Sequence, residues 1–256
     1  MILSAATSHV GLVRTENQDR VYQHPDLEVF IVADGMGGQN CGSRASELTV
    51  DTVKKFFGLD AFEQQELSQT FGYDGEMRPS ENQLITALGL ANREVREVAA
   101  QDAECSGMGA TVVAAYITEE RVITLGAVGD CRAYLLRSGE LTQITTDDTV
   151  VQQLVVDGKI TPAQALSHPL RNQVTEAIGA AESVQIQTFV FDLQSADRLL
   201  LCSDGVHGVV SDAQIQEEIG NNRPLPEAVE GLISRIIESG APDNSSCILL
   251  EYRAAD

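Results

Sequence analysis

Basic residues are scarce in this chain: 17 Lys and Arg stand against 38 Asp and Glu, a formal charge of −21 at neutral pH. A surface of that sign repels a phosphate backbone, and no local Lys/Arg cluster offers an exception, so nucleic-acid binding is disfavoured. Long apolar runs are missing as well; none approaches the roughly 20 residues that a membrane helix needs. The opening MILSAATSHV also lacks the Lys or Arg of a secretory leader. A soluble, cytoplasmic protein without a membrane partner is therefore expected. Cysteine is limited to positions 41, 105, 131, 202 and 247, odd in number and without C-x-x-C spacing. That pattern argues against a disulfide framework or a zinc knuckle and predicts reduced, mostly buried thiols. No repeat, low-complexity tract or Gly/Ser- or Pro-rich linker divides the sequence, so residues 1–256 are read as a single domain.

What is present is strong local punctuation. Apolar stretches interrupted by turn residues predict hairpins over 21–33, turning at Pro25-Asp26, over 110–128, turning at Glu119-Glu120, and over 131–144, turning at Ser138-Gly139. Capping-box spacing at Ser80/Gln83, Thr161/Gln164 and Ser211/Gln214 predicts three helix starts, with Pro162 suited to a first helical position. Leu84, Leu88, Ala91, Val95 and Val98 recur in steps of four and three, as do Ala45, Leu48, Thr52 and Phe56; both sets read as core-facing helix stripes. Residues 58–79 carry the weakest pattern and are expected to form a surface excursion. Consecutive hairpins with helices between them imply an α+β layered sandwich of mostly antiparallel sheet rather than a doubly wound parallel sheet.

The stretch FIVADGMGGQNCG, residues 30–42, poses the chemical question, because an apolar strand runs into a knot of glycines with Asp34 at the junction. A dinucleotide fingerprint fails at its third glycine, and the Gly-Lys-Ser/Thr of a nucleotide P-loop is absent. An Asp facing the phosphates has the wrong sign unless a metal intervenes. The same grammar recurs: VITLGAVGD ends at Asp130, RLLLCSD at Asp204, and Asp243 stands just before CILLEY. Neighbouring strand ends lie about 5 Å apart, so four such carboxylates can converge on one edge of a sandwich. Glycines 35 and 205, following two of them, would leave room for a cation and free a carbonyl as a further oxygen ligand. Hard oxygen ligands in that number suit Mg2+ or Mn2+. A Ca2+-binding loop is excluded, since DDTVVQQLVVDG lacks oxygen side chains at alternate positions.

GLVRTENQD (11–19), VADGMGG (32–38), GMGATVVAA (107–115), AVGDCRAYLLRSG (127–139), HPLRNQVTEAIG (168–179), LLLCSDG (199–205) and APDNSS (241–246) together resemble, in order and spacing, the metal-dependent serine/threonine phosphatases of type 2C in their bacterial form. The resemblance spans essentially the whole chain. It implies a four-layer α-β-β-α sandwich with a flap at about 145–184, and hydrolysis of phosphoserine and phosphothreonine in proteins. Carried over by position, Asp34 would bridge two tightly bound Mn2+ or Mg2+ ions, with the Gly35 carbonyl on one and Asp204 and Asp243 on the other. Asp19 would hold metal-bound waters, and Asp130 with Asp204 would hold a third, weaker ion. Arg14 would grip the substrate phosphate through its guanidinium fork, Asn17 would hold its loop in shape, and His168 would pack in the flap or touch substrate. The implied partners are a phosphorylated protein and an opposing serine/threonine kinase, with the phosphatase itself a monomer.

Three strings depart from the family pattern: Gln39 follows DGMGG where relatives often have His, Cys131 stands in GDCR, and Asp147-Asp148-Thr149 replaces Asp-His-Ser. None removes an expected ligand. Gln39 cannot act as an acid, which leaves a metal-bound water as the expected proton donor to the leaving oxygen, and His207 reads as a surface loop residue. Two other classes share these features: a catalytically silent phosphoprotein-binding domain of the same fold, and a phosphoesterase acting on small molecules.

Overall fold

The computed structural model describes residues 1–24, 26–38, 40–220 and 223–254; Pro25 and Gln39, on which two of the readings above fall, lie outside them. The chain runs β1 (Ile2–His9), β2 (Asp19–His24), β3 (Val29–Met36), then three helices, α1 (Cys41–Phe57), α2 (Ala61–Thr70) and α3 (Pro79–Gln101). Strands β4 (Gly109–Ile117), β5 (Val122–Val128), β6 (Arg132–Arg137) and β7 (Glu140–Gln143) follow, then short helices α4 (Val150–Val156) and α5 (Pro162–Ala165). The chain closes with β8 (Gln187–Asp192), β9 (Arg198–Cys202), α6 (Asp204–His207), α7 (Asp212–Gly220), α8 (Leu225–Glu238) and β10 (Ser245–Tyr252).

Two five-stranded sheets result, ordered β1-β10-β9-β6-β7 and β2-β3-β4-β5-β8, with every pairing antiparallel. All three predicted hairpins form. Period-two alternation sends Phe30, Val32, Val113, Ile123 and Leu125 inward from one sheet to meet Leu199, Leu201, Ile248 and Leu250 of the other. The residues between them face outward. Val29, Ile31 and Ala33 lie under Leu84, Leu88, Ala91 and Val95 of α3 and under α1. Leu200, Cys202 and Leu249 lie under Ile215 of α7 and Leu232 and Ile236 of α8. Each fully buried Leu, Ile or Phe contributes about 1.5–3 kcal/mol, and together they fix the predicted α-β-β-α order.

Several local readings are corrected. Helix α3 starts before Ser80: Pro79 occupies the first turn, and the Arg78 amide donates to Glu81 Oε2 at 3.1 Å. Ser80 is buried inside that turn and its Oγ accepts from Thr124 Oγ1. The Thr161 and Ser211 boxes form as predicted. In α1 the inward stripe is Ala45, Thr49, Val53 and Phe56, with Leu48 and Thr52 at its flank. The weakly patterned 58–79 stretch holds α2, capped by Asp60; lying exposed on most sides, it needs no apolar stripe for a sequence to display. The largest correction concerns the thiols: Cys41, which opens α1, and Cys105, just before β4, form a disulfide across 64 residues. Tertiary folding brings these two together, and no local spacing could report it. Cys131, Cys202 and Cys247 are free and buried, as expected.

Candidate active site

At one end of the sandwich the inward-facing phase of the strands changes from apolar to polar. Following Phe30 and Val32 along β3, the next inward residue is Asp34, which pairs in register with Asp19 of β2 on one side and Thr111 of β4 on the other. On the other sheet, Leu199 and Leu201 lead to Ser203, and Leu250 and Ile248 lead back to Ser246. The inter-sheet core thus opens into a cleft of about 460 Å³ whose walls include Arg14, Asp34, Gly35, Asp130, Asp204 and Asp243. Asp19 stands behind Asp34 and is only 2% exposed. Every sequence-predicted carboxylate is therefore at this edge.

His168 is not. Its Nδ1 accepts from the Leu170 amide at 3.2 Å within its own loop, and it does not line the cleft. The cleft is lined instead by Asn172 and Val174 from the same segment, and by Thr111 of β4. Thr111 was readable from the inward phase of β4; Asn172 and Val174 lie in irregular chain and carry no such signal. Within the 145–184 segment a bridge joins Thr149 to Val174, and a second, Ala110–Ile178, ties the segment to β4.

The two site glycines serve close packing of backbone rather than space around a cation, correcting the sequence reading. A Cβ on Gly35 would stand 1.8 Å from the Gly42 carbonyl of α1, and one on Gly205 would stand 1.8 Å from the Asn244 carbonyl. Asn244 in turn clamps the Arg14 loop: its Oδ1 accepts from the Gln18 amide at 2.8 Å, and its Nδ2 donates to the carbonyls of Val10 and Glu16. Asn17 adds its own ties to the Asp19 amide and to Ser8 Oγ. Arg14 extends into the cleft and pairs with Asp243 at 2.7 Å. On the far side His207 is a partly buried helix residue and not a surface loop residue; its Nε2 lies 2.9 Å from the Asp130 carbonyl. Burial holds its pKa down at about 4. Asp148 accepts from the Gly129 amide, and Asp147 forms a two-pronged pair with Arg132. The departure from Asp-His-Ser thus buttresses the turn that carries Asp130.

Crowding acid groups in this confined edge raises their pKa values. Burial, then the charges of Asp19, Asp204 and Asp130, hold Asp34 well above the usual carboxylate range. Burial and the charges of Asp130 and Asp243 bring Asp204 to about 7; burial and Asp147 bring Asp130 to about 6. Burial raises Asp19 as well, against hydroxyls of Ser246 and Ser203 that favour its ionised form. Among the described residues no three His, Cys, Asp or Glu side chains are already closed into a ligand set. Two oxygens, Asp19 Oδ1 and Asp204 Oδ1, are nevertheless buried with no hydrogen-bond partner. Partnerless, desolvated carboxylate oxygens in a cluster of like charge are the donor chemistry a hard divalent cation satisfies.

Two stacked antiparallel sheets, helices on both outer faces and an acidic cleft at one open edge define the class of the metal-dependent phosphatase sandwiches. Within it, the family of protein phosphatase 2C matches residues 7–244, and the chain belongs to that family. Among curated relatives, the serine/threonine phosphatase Stp of Listeria innocua is 33% identical over 244 residues, covering 94% of this chain and 92% of its own. The crystal structure of the Mycobacterium tuberculosis serine/threonine phosphatase PstP superposes with a TM-score of 0.82 at 34% identity, covering 99% of both chains. A second PstP catalytic-domain structure, determined in complex with two manganese ions, gives 0.81 at 32% identity, again over 99% of each.

Proposed function

We infer that this chain is a protein serine/threonine phosphatase that hydrolyses phosphoserine and phosphothreonine at a two-metal centre. The observation that carries the reading is the convergence, in one cleft, of Asp34, Asp204 and Asp243 with the phosphate-sized fork of Arg14. Asp34 would be shared between two ions, the Gly35 carbonyl would serve one, and Asp204 and Asp243 the other; Asp130 with Asp204 would hold a third, weaker one. When bound, Mn2+ or Mg2+ supplies Lewis-acid activation of a nucleophilic water and neutralises phosphoryl charge. The protein's own share is positional. The guanidinium of Arg14, anchored through its loop by Asn244 and Asn17, offers two donors to a phosphate beside the carboxylates. Among the described residues no Cys or His lines the cleft, which favours direct displacement by water over a covalent intermediate on either residue.

The substrate is then a phosphorylated protein opposed by a serine/threonine kinase, with the phosphatase acting as a monomeric domain in the cytoplasm and residues 145–184 forming a flap beside the cleft. The charge of −21 disfavours a nucleic-acid partner, and among the described residues no helix is long and apolar enough to cross a membrane. The test is turnover of a phosphothreonine peptide. Release of phosphate should require added Mn2+ or Mg2+ and stop in chelator. Full rates in excess chelator would refute the two-metal reading; binding without turnover would point to a silent phosphoprotein-binding domain; and a strong preference for small phosphoesters would point to a small-molecule phosphoesterase.

A further inference from the structure

Ser203 lies between the last core residue of β9 and Asp204, is fully buried, and does not itself line the cleft. Its hydroxyl is committed on both sides. The Ser246 backbone amide donates to Ser203 Oγ at 3.0 Å, and the hydroxyl proton goes to Asp19 Oδ2 at 2.8 Å in preference to the Ser246 carbonyl at 3.5 Å. A neighbouring polar chain, Asn17 Nδ2 to Ser8 Oγ and Ser8 Oγ to Ser246 Oγ, brackets the same spot. Ser203 directly follows β9 and Ser246 lies on its neighbour β10 in one sheet, whereas Asp19 lies on β2 of the other. The bond from Ser203 to Asp19 is therefore a tie across the sandwich, made where both sheets present their acids.

We propose that Ser203 is a positioning residue for the metal centre, fixing Asp19, and through the adjacent backbone Asp204, at the cross-sheet separation the ions require. Two observations argue for it. Asp19 pairs in register with Asp34, so whatever fixes Asp19 also fixes the strand end bearing Asp34. The bond uses Oδ2 alone, leaving the buried Oδ1 of Asp19 without a protein partner. Outer partners that orient ligating carboxylates commonly change metal affinity or activity by 10–100-fold, and Ser203 has the geometry of such a partner.

The inference rests on the two-metal phosphatase reading, and its test separates the two. Mn2+ binding by calorimetry and kinetics on a phosphothreonine peptide are measured for wild type, Ser203→Ala, Asp19→Asn and the double variant. Wild type that binds no Mn2+ or shows no turnover fails the phosphatase reading itself. With an active wild type, Ser203→Ala is expected to weaken Mn2+ binding about 10-fold and lower kcat comparably, with KM within about twofold. The double variant should be no worse than Asp19→Asn, because Ser203 acts through Asp19. Unchanged Mn2+ affinity in Ser203→Ala, or losses that add in the double variant, would overturn the proposal. If Ser203→Ala does not fold, Ser203→Cys decides, since it nearly keeps the volume while donating weakly: wild-type Mn2+ affinity there overturns the proposal, and a loss of about 3-fold or more supports it.

Discussion

Neutralising one buried acid should make the metal-free protein more stable while ending its chemistry, and Asp204 is the residue at which to test this. Its pKa rises from 3.8 unfolded to about 7 folded, through burial and the neighbouring charges of Asp130 and Asp243. An acid raised in the folded state stabilises that state fully below pH 4, where both forms are protonated. The contribution is lost as pH climbs from there to about 7. At 1.36 kcal/mol for each tenfold weakening of the acid, ionised Asp204 costs the fold about 4 kcal/mol above pH 7. An amide keeps part of the burial cost because its N–H groups need acceptors, so Asp204→Asn should gain about 1–3 kcal/mol. At roughly 2–4 °C per kcal/mol for a chain of this size, that raises Tm by about 2–12 °C. The assay is thermal and urea unfolding in chelator at pH 8 and pH 5. The gain should be large at pH 8 and fall by more than half at pH 5. Adding Mn2+ should then reverse the order, since a ligand at 1,000 times its Kd stabilises wild type by about 4.1 kcal/mol and has little hold on the variant. A gain equal at both pH values, or a loss at pH 8, would refute the charge-crowding argument.

Arg14→Ala should raise KM for a phosphopeptide about 10-fold while lowering kcat less, since the guanidinium grips phosphate in ground and transition states alike. Because Arg14 pairs with Asp243, its removal should not weaken Mn2+ binding; a weaker affinity would assign it a ligand-orienting role. Reducing the Cys41–Cys105 bond, or replacing both residues by Ser, should cost about 2–4 kcal/mol, given a closed loop spanning 64 residues. A Tm indifferent to reductant would show that the bond contributes nothing to the fold in solution.

By itself the sequence specified the alternation that makes the sheets, two of the three predicted capping boxes, and the recurrence of an acid at the end of an apolar strand. These are local properties: period-two patterning selects a face, and the inward phase of β3, and of β9 continued by one residue, carries Asp34 and Ser203 to the same interior without reference to anything distant. What remained illegible depends on residues far apart in the chain meeting across the layers. Cys41 meets Cys105 only once α1 lies against the turn before β4. Gly35 and Gly205 read as room for a cation until the carbonyls of Gly42 and Asn244 are seen filling that room. His168 has the right string around it yet bonds within its own loop, whereas Asn172 and Val174, in chain without periodicity, line the cleft. Period and spacing report which face a side chain takes; only the stacking of two twisted sheets decides which faces meet, how closely, and which oxygens are left without a partner.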